Sequence, residues 1–254
     1  MGGLAIAIVS VAALIVLYMM GIAGFDAAEP GALTVMRICG SVSFVGIIVY
    51  LGYGTGGFGT RRERIAVVAP ALIVAVNNFP LIPLFNGEVV IDAEAYDIVK
   101  LAVECLFIGI FEETAFRGIL LLSAAEGRGK TKKELFMTAL VTSVLFGCAH
   151  LLNLLAGAGV GATLLQVSYS TLIGGMCSLV LLLGGSLWSC AVIHAVYDLG
   201  GCCVERLGHG RIWTAPEVAL TAAVGVCALA YYLLMAKCLS PEKVKENLIH
   251  PHAR

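Results

Sequence analysis

Charge is what this sequence has least of. Of its 254 residues, 16 are Lys or Arg and 17 are Asp or Glu, together 13%, for a formal net charge of -1. The basic residues fall in short clusters between apolar runs rather than in a continuous patch, so nucleic-acid binding is set aside. A CxxC pair is also missing. The nine cysteines are scattered through apolar segments, which is the pattern of small buried hydrophobes and not of a disulfide framework or zinc knuckle. No internal repeat or low-complexity tract marks a second domain. Nor does a basic stretch precede the first apolar segment, which starts at once after Met1-Gly2-Gly3 and runs about 20 residues, as a retained span does and a cleaved signal peptide does not.

What is abundant is apolar surface. Hydrophobic residues make up 59% of the chain and the mean hydropathy is +0.96, far beyond the needs of a soluble core. The chain reads as an all-α, multispanning membrane helix bundle, a single integral membrane domain over residues 1–254. Apolar stretches long enough to cross a bilayer lie near 4–24, 33–53, 65–82, 98–123, 135–156, 164–184, 187–205 and 216–238. That makes about eight transmembrane helices.

Arg61, Arg62 and Arg64, then Arg128, Lys130, Lys132 and Lys133, then Lys237, Lys243, Lys245 and Arg254 all fall on one side of such a bundle. By the positive-inside rule that side is the cytoplasm, with both termini on it, and the alternating loops carry Asp26, Glu29, Glu88, Asp92, Glu94 and Asp97. Arg206 and Arg211 depart from the rule. Gly52 to Gly59 form a flexible connection, Pro70 and the Pro80/Pro83 pair bend or end the third span, and the acidic stretch 83–97 is expected to form a surface segment.

Against that apolar background, Phe111-Glu112-Glu113-Thr114-Ala115-Phe116-Arg117 places three ionisable groups inside one span. Such groups within lipid are costly and face a protein interior or a water-filled cavity, which makes them functional candidates. Glu113 and Arg117 are four residues apart, so on a helix they are neighbours that neutralise one another. Glu112 lies about 100° around the helix with no local cation, and it needs a partner from another span.

Two histidines also sit inside spans. His150 follows Phe146 by one helical turn, with Asn153 three residues further on, and His194 precedes Asp198 by one turn. His209, His250 and His252 fall in a loop or the tail. Among weaker polar residues, Glu104 and Arg37 are expected to form a structural ion pair, Asn77 and Asn78 to satisfy a broken helix, and the Gly174-Gly175 and Gly200-Gly201 pairs to allow close helix packing.

Glu112-Glu113-x-x-x-Arg117, Phe146-x-x-x-His150 and His194-x-x-x-Asp198, in this order on apolar helices, resemble the three motifs of the CAAX-protease and bacteriocin-processing membrane peptidases. The resemblance covers about residues 98–205. It implies an intramembrane endopeptidase that acts on a membrane-associated peptide or protein, prenylated proteins and leader peptides being the family's substrates. It also implies roles. Glu112, with His150, activates a water for attack on the scissile carbonyl, His194 stabilises the oxyanion, and the Glu113–Arg117 pair positions Glu112. Family members carry Asn or Asp at position 198, and here Asp198 is expected to accept from His194 and favour its imidazolium form.

No His-Glu-x-x-His occurs. Glu112, His150 and His194 would nonetheless suffice as a three-ligand zinc set with an open water position, so the metal alternative stands beside the preferred metal-free glutamate mechanism. A different class, a proton-coupled transporter, would use the same acids and histidines as a relay, though repeat symmetry is absent. A catalytically idle scaffold is the third. The expected location is the cytoplasmic membrane, with the site nearer its cytoplasmic side; the sequence sets no oligomeric state. At about 1.5 Å per residue, Glu112 and His194 fall roughly 10–17 Å from the cytoplasmic helix ends, but His150 about 20 Å or more. Levelling them requires either a fifth span that begins after residue 135 or strong helix tilt.

Overall fold

The computed structural model describes residues 2–24, 31–249 and 251, so Asp26, Glu29, His250, His252 and Arg254 lie outside the described residues. Three helices open the chain: α1 Gly2–Ile22, α2 Ala32–Leu51 and α3 Arg61–Val76. A short α4, Leu81–Phe85, and a strand β1, Val89–Ile91, lead into α5, Ala95–Glu113. Without a break α5 widens into π-helical turns over Thr114–Leu121 and continues as α6, Leu122–Arg128. Then come α7 Lys132–Ala149, a 3-10 turn His150–Leu154, α8 Val160–Leu182 and α9 Leu187–Leu207. Strand β2, Gly208–Gly210, precedes α10 Ala215–Met235, and a short α11, Pro241–Val244, runs into a π-helical end Lys245–Ile249.

Local chemistry explains the boundaries. Leu51 is followed by Gly52 at φ 74°, a left-handed conformation that ends α2 and that a side chain would resist. Both α3 and α7 start on a capping box. In α7 the Thr131 hydroxyl accepts from the Glu134 amide at 3.2 Å while the Glu134 carboxylate accepts from the Thr131 amide at 2.9 Å. Ser186 caps α9 through the Ser189 amide at 3.0 Å, which fixes the break between the sixth and seventh expected spans at 183–186.

Among the described residues, six helices are long and apolar enough to cross a membrane: Gly3–Ile22, Ala32–Leu51, Lys132–Leu154, Val160–Leu182, Leu187–Leu207 and Ala215–Cys238. The all-α class holds, apart from one two-stranded antiparallel ribbon in which Val90 faces His209. Two of the expected eight spans stand apart from the six. The third is the shorter, 16-residue α3, with Arg61, Arg62, Glu63 and Arg64 in its first turn. The fourth is the α5–α6 helix, whose Glu104, Glu112, Glu113 and Arg117 lower its hydropathy. All but Glu104 of these charges are shielded by protein: Glu112, Glu113 and every residue from Thr114 to Leu121 are buried. Outward-facing Val9, Val42, Val49, Ile73, Val226 and Leu234 instead give the bundle an apolar exterior, as lipid contact requires.

The closest neighbours are α5 with α9 and α7 with α8. Gly109 permits the first pairing. A Cβ there would lie 2.6 Å from the Ala191 carbonyl and 3.1 Å from the Ala195 amide, so no larger residue fits at this crossing. The main core gathers around the π-helical turns, with Phe116, Ile119 and Leu121 against Phe146, Ile173, Leu187 and Ile193. A smaller cluster, including Leu101, Cys105, Val204 and Leu207, packs beneath the ribbon.

The candidate acid–histidine site

The first two motif residues end α5 where its turns widen. Thr114 donates its hydroxyl to the Ile110 carbonyl at 2.7 Å and the Phe111 carbonyl at 3.0 Å, taking up acceptors that the altered ladder leaves. Turns of this kind recur at functional sites. Here they turn Glu113 and Arg117 inward together: Glu113 is fully buried, and its Oε1 lies 2.9 Å from Arg117 Nη1.

Glu113 reaches across to α9 as well, where its Oε1 accepts from His194 Nδ1 at 2.7 Å. The sequence reading has the Glu113–Arg117 pair steady Glu112; in the structure its far end is His194. With Nδ1 committed to a carboxylate, Nε2 of His194 points at two more, 3.5 Å from Glu112 Oε2 and 3.5 Å from Asp198 Oδ2. Glu112, 4% exposed, thus finds a partner on another helix, as its isolation on α5 demands. Its Oε1 accepts from the Tyr18 hydroxyl of α1 at 2.6 Å.

His150 is placed differently. It ends α7, a continuous helix from Lys132 that has no separate turn over 132–135. His150 Nδ1 lies 3.2 Å from the Phe146 carbonyl and Nε2 lies 3.4 Å from the Ser170 hydroxyl. A carbonyl can only accept, so Nδ1 carries the proton and Nε2 is the acceptor. Among the described residues no hydrogen bond or ion pair joins His150 to Glu112.

Phe146 connects the two histidines. Its ring meets His150 edge-on at 5.3 Å and His194 edge-on at 5.5 Å, and the Arg117 guanidinium sits over it at 4.4 Å. Gly174 leaves the room for that guanidinium, since a Cβ there would fall 2.5 Å from Arg117 Nη2. Asn153 is not part of the cluster; its amide donates to Gln166 Oε1 at 2.8 Å. Glu104 pairs with Arg206 at 3.0 Å rather than with Arg37. Asn78 donates to the Tyr197 carbonyl at 2.7 Å, tying the end of α3 to the helix that carries His194.

Tyr18 and Ser170 were not expected from the sequence. Neither sits at a helical spacing from a motif residue, so nothing local could have flagged them. Glu112, His150 and His194 do not come together as a ligand set. Among the described residues the one gathering of three ligand-capable groups is Glu113, Cys177 and Cys190, with donor atoms within 4.8 Å of one another. The two thiols there each lie against the other residue's carbonyl, at 3.9 Å and 3.2 Å.

An apolar helical bundle that buries two carboxylates, an arginine and two histidines, with a third carboxylate half-buried beside them, on three of its helices has the character of an integral membrane protein with an internal polar site. Residues 94–200 match the family model described as type II CAAX prenyl endopeptidase Rce1-like, so this segment is similar to that group of membrane peptidases. All three motifs fall within the match. No curated protein and no solved structure shows significant similarity to the chain.

Proposed function

We propose that the protein is an intramembrane endopeptidase that hydrolyses a peptide bond of a hydrophobic or membrane-associated substrate, with Glu112 as general base. The observation that carries this reading is the pairing of Glu112 with His194 at 3.5 Å inside an apolar bundle. A base and an electrophilic donor thus flank the same small volume. On this reading the bundle spans the membrane eight times, α3 and the α5–α6 helix included, with both termini and the site towards the cytoplasm.

The residues divide the work as follows. An attacking water gives one hydrogen bond to Glu112 and the other to the acceptor Nε2 of His150, which directs its lone pair at the scissile carbon. As the C–O bond forms, Glu112 takes the proton. His194 has a carboxylate acceptor at each ring nitrogen, and it satisfies all of them only when both nitrogens carry protons. Nε2–H then donates to the carbonyl oxygen as it becomes an oxyanion. When the C–N bond breaks, the proton on Glu112 passes to the leaving amine. Asp198 and Glu113 hold the charge on His194, and Arg117 balances Glu113.

No step here is routed through a metal, because Glu112, His150 and His194 are not assembled around a common point. Retention of activity after strong chelation of metal-analysed protein supports this mechanism, and loss restored by zinc overturns it. The peptidase reading itself is tested with purified protein in detergent and a hydrophobic reporter peptide. Wild type cleaves it, while folded Glu112→Ala and His150→Ala variants fall by about 10²–10⁴-fold, the usual contribution of acid–base catalysis. Equal cleavage by both variants contradicts it.

A further inference from the structure

Glu112 and His150 are the two groups that must share the attacking water, yet they do not touch. Between them stands Tyr18, a residue of α1 that lies far outside the matched segment 94–200. Its hydroxyl donates to Glu112 Oε1 at 2.6 Å, the shorter of the two contacts made by that carboxylate to other helices. The same phenol ring lies edge-on to the His150 imidazole with centroids 6.1 Å apart. One side chain therefore touches both members of the water-activating pair.

Tyr18 is bound to that place from several sides. α1 packs along the π-helical turns that follow Glu113 and also meets the 3-10 turn that begins at His150. Leu14 and Leu17, one turn and one residue before Tyr18, are buried in the main core. The phenol is only half-buried. Its hydroxyl is directed at a carboxylate instead of water, and a short bond from a neutral donor to an anion is the strong kind.

The geometry points to Tyr18 as a positioning residue of the hydrolytic site, so that α1 completes the active centre rather than merely enclosing it. This rests on the peptidase reading. Tyr18 fixes the rotamer of Glu112 by donating its hydroxyl to Oε1. It occupies one lone pair of Oε1 and leaves another for the water, beside the His150 edge. The hydroxyl thus acts on the chemical step, and substrate affinity does not depend on it.

The test pairs Tyr18→Phe, which keeps the ring and its packing, with two readouts. The first is reporter-peptide kinetics: kcat falls about ten- to hundredfold, the scale of a hydrogen bond to a charged group, while KM stays within about twofold and thermal stability is unchanged. The second needs no activity. Dicyclohexylcarbodiimide, an apolar reagent that adds to buried carboxyls, labels Glu112 several-fold faster in Tyr18→Phe, where no hydroxyl engages Oε1, than in wild type, with the adduct located by fragment mass spectrometry. Unchanged labelling overturns the inference whether or not peptide is cleaved. Raised labelling with unchanged kcat overturns the catalytic role, as does a kcat loss that follows a drop in thermal stability. If wild type cleaves nothing while labelling still rises, the peptidase reading fails and the Tyr18–Glu112 contact stands on its own.

Discussion

His194 is the residue on which the most charges converge: Glu113 at Nδ1, with Glu112 and Asp198 at Nε2. Its removal is expected to lower kcat by about 10²–10³-fold, the range for loss of one oxyanion donor, and single-turnover kinetics measure this directly. Asp198 separates charge from hydrogen bonding. Asp198→Asn keeps an acceptor but removes a negative charge from the Nε2 side, and activity is expected to fall with an altered pH profile. Full activity with an unchanged profile contradicts the charge role. Arg117 behaves differently, because it touches no reacting group. Arg117→Met leaves the buried Glu113 with His194 as its remaining partner, and breaking a buried pair costs up to about 3–5 kcal/mol, so the variant is expected to lose thermal stability.

The elements tell which relations a sequence makes visible. Glu113 with Arg117 and His194 with Asp198 are four apart on one helix, and both meet in space because helical geometry alone requires it. Tyr18 with Glu112, separated by 94 positions, and Ser170 with His150, separated by 20, depend on how helices cross, which no local spacing encodes. The π-helical widening at Thr114–Leu121 and the 3-10 turn at His150 were equally invisible, since both answer to tertiary packing around the buried charges. Gly109 marks where α5 meets α9. Gly109→Ala is expected to force these helices apart and destabilise the protein by about 1–3 kcal/mol, with kcat falling as Glu113 and His194 separate; thermal unfolding and kinetics on the same preparation check it. At the start of α3, bonds from the Thr60 amide at 2.6 Å and hydroxyl at 2.8 Å hold the Glu63 carboxyl below the usual carboxylate range. A lowered folded value means that this cap supports the helix above that range and is lost as pH falls through it. Hydrogen exchange in the first turn of α3 is expected to quicken on acidification in wild type and to be pH-independent beyond intrinsic rates in Glu63→Gln.

For the whole molecule, composition alone pointed to a membrane bundle, because no soluble core absorbs so much apolar surface, and among the described residues six helices meet the length and hydropathy needed to cross. The remaining two expected spans are harder to read for a physical reason: α3 is short and begins with arginines, and α5–α6 exchanges hydropathy for the charges of the site. The proposed topology of eight crossings with both termini cytoplasmic predicts that single cysteines at positions 61 and 130 are modified from the cytoplasmic side only and that one at position 90 is modified from the opposite side. The same bundle houses a relay of acids and histidines, so hydrolysis must be separated from transport. The decisive measurement is cleavage of a membrane-embedded reporter peptide by wild-type and Glu112→Gln protein in sealed liposomes, with internal pH followed in parallel. Wild type is expected to cleave, Glu112→Gln to lose about 10²-fold or more, and neither to conduct protons. Proton flux without cleavage, or equal cleavage by the two proteins, would contradict the peptidase reading.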